Sequence, residues 1–256
     1  MSARPVTTTD LLKFAALVFV LVDHFGAYFV EDETWWRLIG RLAAPIFFFL
    51  IGFARSRNVP WTWLVLGLVL TVSDAVTSDS LTEPTLNILL NFALLRWAVL
   101  PLVERWVLPW PWRLAVLAAV CAAAMPVTDH VIEYGTGGLL WAIFGLAHRG
   151  ALENPEPRRR WTRTGLAAVV GVAYSLREIV DFDFGPEEAA ALAGLVAGLA
   201  VLLTRFRRET LAWDAPRPVA ALLHLCGRHS LEIYAVSLFA MQVVAYGIEA
   251  GEDDGA

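Results

Sequence analysis

Long apolar runs separated by short polar stretches organise this chain from end to end. The first runs from about Asp10 to Val30, with Thr9 or Asp10 as the expected N-cap. A second, about Trp35 to Ala54, closes on Arg55-Ser56-Arg57. A third, about Trp61 to Thr77, follows Pro60 and ends at an acidic loop, Asp79 to Glu83; a fourth covers about Pro84 to Val103. Glu104 to Arg113, with Trp106, Trp110 and Trp112, reads as an aromatic interfacial turn. The fifth run, about Leu114 to Met125, is expected to stop at Pro126, and the sixth covers about Gly135 to His148. Both are short for a crossing. Residues 149–163, RGALENPEPRRRWTR, are the most hydrophilic stretch and the expected long loop. Runs seven and eight, about Thr164 to Val180 and Pro186 to Thr204, flank DFDFG. A short apolar run (219–226) then meets Gly227-Arg228-His229, and a last helix, about Ser230 to Ile248, leads into an acidic tail.

Runs of roughly 15 to 20 apolar residues match a bilayer core of ~30 Å. The expected fold is therefore all-α: a polytopic integral membrane helical bundle of about nine transmembrane helices, in one domain over residues 1–256. Composition agrees. The chain is 57% hydrophobic and 18% charged, against about 25% charged in a soluble domain, and its mean hydropathy is +0.57. No small-residue cleavage site follows the first run, so that run is expected to be a retained helix. No internal repeat is evident, which counts against an inverted-repeat transporter.

Charge sets the expected orientation. Nineteen of the twenty basic residues are Arg, and the one lysine is Lys13. With a cytoplasmic N-terminus and alternating loops, all but Arg37, Arg41, Arg96 and Arg177 fall on the inner side. The acidic clusters 31–33, 79–83, 181–188 and 249–254 fall outside. The expected topology is N-in, C-out. Cys121 and Cys226 lie in or beside apolar segments without paired spacing and read as small packing residues.

Ionisable residues inside a membrane span are expensive and point to function. Asp23, His24 and Arg41 are three such residues. At 1.5 Å per residue, His24 lies roughly 10 Å below the outer end of helix one, and Arg41 roughly 9 Å into helix two. Arg37 is one turn nearer the outer surface on the face of Arg41, and Asp74 and Asn87 add polar groups at a similar level. A polar chamber in the outer half of the membrane is one reading. A buried ion pair that only fixes helix packing is the other. Adjacent helical residues point about 100° apart, so Asp23 would turn toward Arg41 and His24 toward the chamber, where it could serve as a general base. Lys13 precedes His24 by eleven residues, an offset of about 20°, so the two share a face roughly 16 Å apart along the axis. A cation at the cytoplasmic mouth suits an anionic donor; an interfacial lysine whose stem snorkels explains it as well.

Weaker candidates follow. His130, Glu133 and Tyr134 at the outer surface could bind an acceptor or cap helix six. Arg177 and Glu178 read as an interfacial ion pair, and His148 and His224 as interfacial. Arg228 and His229 could meet donor phosphates or cap a helix. No metal-ligand spacing, phosphate-cradling glycine loop or nucleic-acid module is found, so no metal and no nucleic-acid partner are expected.

The stretches LKFAALVFVLVDHFGAYF (12–29) and RLIGRLAAPIFFFLIGFARSR (37–57) resemble the TraX family of membrane acetyltransferases, in the pattern Lys, apolar helix, Asp-His-x-Gly, then Arg-x-Ile-Gly-Arg-x-x-x-Pro-x-Phe. VSD (72–74), LNILL (86–90) and EYGTGGLL (133–140) match more loosely. Through that family the chain is similar to a wider transmembrane acyltransferase superfamily that includes acyltransferase-3 proteins and heparan-alpha-glucosaminide acetyltransferase. Lys13 and His24 resemble its basic residue and histidine, and SLEIYAV (230–236) its last-helix motif, with Ser237 where that motif has histidine. The resemblance implies transfer of an acyl group, acetyl above all, from cytoplasmic acyl-CoA (acetyl-CoA) to an acceptor on the outer side of a bacterial-type cytoplasmic (inner) membrane. The acceptor would be a glycan, lipid or exported peptide. It implies His24 as base or acyl relay, aided by Asp23, with Arg41 on an oxyanion or acceptor carboxylate. It implies Lys13 as a donor-phosphate contact. On the residues' own pattern Arg228 would join Lys13 there, and Arg37, Asp74, Asn87, Glu133 and Tyr134 would form the acceptor side. An ion-coupled transporter or flippase using Asp23, His24 and Arg41 is the alternative, and a catalytically silent membrane scaffold a third.

Overall fold

The computed structural model describes residues 5–30, 33–77, 85–212 and 216–253, with side chains as far as Ile248. The acidic loop at 79–83 and residues 31 and 32 lie outside them. Among the described residues the regular elements are helices, joined by two isolated β-bridges. Five helices among the described residues are long and apolar enough to cross a membrane: Thr8–Phe29, Thr34–Phe53, Pro111–Thr128, Pro186–Arg205 and Arg217–Ile248. The protein is an all-α membrane protein. The chain divides into two compact units, Met1–Ile46 with Arg205–Ala256, and Phe47–Thr204.

In the first unit, α1 (Thr8–Phe29) opens on a capping box. Thr7 Oγ1 accepts from the Asp10 N–H at 3.3 Å, and the Asp10 carboxylate accepts the Thr7 N–H at 2.9 Å. The cap is therefore Thr7 rather than Thr9 or Asp10, because Asp10 serves as the third-position partner that reaches back. The incoming strand-like segment pairs with residues 209–211: Leu211 N–H donates to Val6 O at 2.9 Å and Thr8 N–H to Glu209 O at 3.0 Å.

The expected second helix is broken. It forms α2 (Thr34–Gly40) and α3 (Ala43–Phe53), with a turn at Arg41 and Leu42. Pro45 is the cause: it has no N–H for the Arg41 carbonyl, and its ring crowds that oxygen. The last element, α11 (Arg217–Asp253), joins the two expected apolar runs through a non-helical residue, His229 (φ −118°, ψ 27°). α1 packs on both α2 and α11.

The second unit is built on a close crossing of α3 with α8 (Gly135–Glu153). A Cβ on Gly52 would strike the Ala142 carbonyl, and one on Gly145 the Phe49 carbonyl. These two glycines let the backbones touch, the usual device where lipid offers no hydrophobic drive. Phe48, Phe49, Phe92, Trp141 and Phe144, all under 2% exposed, fill the core around that crossing. On α4 (Trp61–Thr77), by contrast, Leu64, Val65, Leu68, Val69, Val72 and Val76 are exposed, as a lipid-facing stripe would be.

Several sequence expectations are corrected here. The fourth run is α5 (Ile88–Leu94) continued by π-helical turns at Leu95–Val99 and Val103–Val107 around α6 (Leu100–Leu102). These wide turns flank Pro101, which has no N–H to give the Trp97 carbonyl. α7 (Pro111–Thr128) does not stop at Pro126: the helix closes two residues later, where Thr128 Oγ1 bonds back to the Ala124 and Met125 carbonyls at 3.1 and 3.3 Å. With α8 at 19 residues, neither the fifth nor the sixth helix is short.

The expected loop at 149–163 is helical except at 154–156. Arg149 is buried and donates to the Ala54 carbonyl and to Glu104, which holds the end of α8. Pro157 then starts α9 (Pro157–Asp181), whose arginines are good helix formers on an exposed face. Arg177 pairs with Asp129 (3.0 Å) and Asp181 rather than with Glu178, which is buried. His148 is not interfacial but wholly buried among the rings of Phe49, Phe53 and Phe144. Arg96 reaches the Ser56 carbonyl with its Nε at 3.0 Å and lies over Trp63, at the end of this unit that holds Arg55 and Arg57. The unit closes with α10 (Pro186–Arg205), whose last residue begins the returning part of the first unit.

Candidate functional site

The first unit gathers Lys13, Asp23, His24, Arg37, Arg41 and Arg228. Asp23 is 5% exposed, and its Oδ2 takes both the Arg41 guanidinium and, at 3.4 Å, the Arg37 guanidinium. The two arginines are four residues apart, so their side chains converge from successive turns. Gly40 makes the approach possible: a Cβ there would collide with the Asp23 side chain. Gly26 does the same for the Trp36 side chain. Among the described residues, Asp23 Oδ1 is buried without a hydrogen-bond partner.

His24 comes next on α1 and so points about 100° away from Asp23. Its ring faces Tyr28 at 6.4 Å, nearly stacked, and Tyr234 of α11 at 5.9 Å, tilted by 38°. Lys13 also faces α11, with its Nζ donating to the Gly227 carbonyl at 2.7 Å. The shared face expected of Lys13 and His24 is the α11 side of α1. The contacts advance together along both helices, Asp10 with His224, Lys13 with Gly227 and His24 with Tyr234, so α1 and α11 run parallel. Beside the Lys13 contact, Arg228 and His229 are exposed, and His224 Nδ1 lies 3.9 Å from the Asp10 carboxylate.

The second unit holds Asp74, Asn87, Glu133 and Tyr134. Asn87 is the N-cap of α5: its side chain accepts from Leu89 N–H at 3.1 Å, and its own N–H goes to Thr71 Oγ1 at 2.9 Å. Glu133 Oε2 accepts from Ile88 N–H at 2.6 Å and from Asn87 Nδ2 at 3.3 Å. Its carboxylate therefore caps α5, where the helix dipole favours negative charge, and not the sixth expected helix. Asn91 Nδ2 donates to the Glu133 carbonyl at 2.8 Å. Tyr134 has a left-handed backbone (φ 60°), costly for a bulky side chain, and meets Phe48 edge-on at 5.9 Å. Asp74 is exposed near the end of α4.

Sequence reading misses Gly40, Tyr28 and Tyr234 in the first group and Thr71 and Asn91 in the second. Tyr28 is legible in principle, since it lies one turn from His24. Tyr234 sits inside SLEIYAV, but nothing local to that motif announces which helix it faces. Among the described residues, no three His, Cys, Asp or Glu side chains converge as metal ligands would.

Comparison with known proteins places the chain in a family. No solved structure matches the chain. It is 29% identical over 201 residues to Protein TraX of Escherichia coli (strain K12), covering 73% of this chain and 70% of that protein. A stretch of 85 residues is 31% identical to "Uncharacterized protein RP591" of Rickettsia prowazekii (strain Madrid E), covering 33% of this chain and only 34% of that protein. The family model described as TraX protein matches residues 8–244, from the first turn of α1 into the last turns of α11. The chain belongs to the TraX family.

Proposed function

We propose that this protein is an integral membrane acyltransferase of the cytoplasmic membrane. It would move an acyl group, acetyl above all, from cytoplasmic acyl-CoA to an acceptor on the outer side. The observation that carries the reading is that Lys13 and His24 line one face of α1, against α11, while the adjacent Asp23 is held on another face by Arg37 and Arg41. A half-buried imidazole is thus kept apart from the ion pair beside it.

The donor supplies an activated thioester. His24 takes the proton from the acceptor's hydroxyl or amine, or itself carries the acyl group between the two substrates. In either case the acyl carbon–sulfur bond breaks, a bond to the acceptor oxygen or nitrogen forms, and the acceptor's proton leaves with the thiol. Asp23 with its two arginines fixes the turn of α1 that presents the imidazole. The Lys13 ammonium and the exposed Arg228 guanidinium have the charge that donor phosphates need, both at the α11 break. Parallel α1 and α11 put the start of one and the end of the other on opposite sides of the membrane, as an N-in, C-out arrangement requires; the arginine-rich loops give the inner side.

Membrane vesicles carrying the full chain, given acetyl-CoA labelled in the acetyl group, test this. Label is expected to reach a membrane or envelope acceptor, and His24→Ala to lower the rate by about 100-fold or more, the scale of a lost general base. Transfer at the wild-type rate in His24→Ala would overturn the assignment.

A further inference from the structure

A helix that crosses a membrane is seldom interrupted without consequence, because each carbonyl freed at the break must find a donor. α11 is interrupted at His229, and two residues earlier the Gly227 carbonyl accepts the Lys13 ammonium. In an unbroken helix that carbonyl would face the Leu231 N–H. Lys13 thus ties the end of the first half of α11 to α1. The second half starts at Ser230, which is 3% exposed, and five residues past the break Tyr234 presents its ring to His24.

Tyr234 is itself 6% exposed, and the Ser237 hydroxyl, one turn on, bonds to its carbonyl at 2.9 Å. Its ring has little freedom to leave. With Tyr28 on the other contact, His24 is flanked by two aromatic rings, one from its own helix and one from α11.

We infer that Tyr234 is a positioning residue for His24: its ring, seated by the Lys13–Gly227 tie across the α11 break, holds the imidazole in one orientation and limits access to it. Lys13 then acts on the histidine through α11, in addition to any role of its charge. The catalytic consequence rests on the acyltransferase reading; the positioning itself does not.

The test is site-resolved labelling of histidines by diethyl pyrocarbonate on the full chain in its membrane, followed by peptide mass spectrometry. His148, wholly buried, reports on folding of the second unit, and His224, 26% exposed beside Asp10, on folding of the first, which holds His24 and Tyr234. Tyr234→Leu and Tyr234→Ala are expected to raise the labelling rate of His24 by about fivefold, the scale an aromatic pair contributes, while Tyr234→Phe stays within about twofold of wild type. Lys13→Met should raise it as well, with Tyr234 intact. Should Tyr234→Ala unfold the first unit, raising the labelling of His224 along with that of His24, the Leu and Phe variants decide. An unchanged His24 rate in Tyr234→Leu, with His224 and His148 labelled as in wild type, overturns the inference. Acyl transfer is read separately: Tyr234→Leu should lower kcat with little change in KM. A wild-type protein that transfers no acyl group sinks the acyltransferase reading and leaves the labelling result standing.

Discussion

Gly40 lies where a side chain would displace the Asp23 carboxylate. The ion pair between α1 and α2 is thus made by an absence as much as by two charges. Gly40→Ala should push Asp23 off its arginines, because neither helix backbone can yield as a flexible side chain would. Overpacking alone costs about 1 to 3 kcal/mol, and the disturbed pair adds to that. Unfolding in mixed micelles, followed by circular dichroism, should show the loss. Wild-type stability in Gly40→Ala would overturn the close contact of Gly40 with Asp23.

The pair itself can be measured. Removing one partner of a buried ion pair leaves a charge without compensation and costs about 3 to 5 kcal/mol. Asp23→Asn should be the harsher single change, since it leaves Arg37 and Arg41 facing each other across a neutral amide. Arg37→Gln should be milder, because Arg41 keeps the shared oxygen. A double-mutant cycle on Asp23 and Arg41 should return a coupling of about 1 kcal/mol or more, as contacting residues do, whereas one on Asp23 and the distant Lys13 should return about zero.

Much of this geometry is legible in the residues alone. Apolar run length marks the helices, and the 100° step separates Asp23 from His24 and aligns Lys13 with His24 on one face. What escapes the sequence depends on partners remote along the chain. That Glu133 would cap α5 follows from a contact across 45 residues, which no local pattern encodes. The hydrophilic stretch 149–163 reads as a loop because polarity and helicity are independent properties, and arginine satisfies both. His148 reads as interfacial because a lone histidine beside arginine carries no sign that three phenylalanine rings will enclose it.

The α3–α8 crossing separates glycines that matter from those that do not. Gly52→Ala and Gly145→Ala each drive a methyl group into a backbone carbonyl of the opposing helix, which cannot rotate away. Both variants should lose folded protein, seen as proteolysis of the second unit in detergent. Gly165, Gly194, Gly198 and Gly247 lie on helices with nothing within 4 Å of the place a methyl group would take. Alanine at these four should be neutral or stabilising by up to about 1 kcal/mol each, through helix propensity. Parallel unfolding curves for the two sets check the contrast.

Glu104 provides a pH-dependent contribution whose direction can be worked out. Burial raises its pKa, but hydrogen bonds and charge from Arg57 and Arg149 outweigh that and hold the carboxyl below its ordinary value of 4.5. A carboxylate whose pKa is lower folded than unfolded stabilises the fold fully above the unfolded value and loses that stabilisation as pH falls through the folded one. The side chain is 45% exposed, so solvent screening keeps the effect small. Wild type should therefore lose stability below about pH 4.5 more steeply than Glu104→Gln, while the two differ by a constant amount between about pH 6 and 8. Chemical denaturation of both proteins across that range tests it, and parallel curves from about pH 6 down to about pH 3 would show that the two arginines do not hold Glu104 ionised.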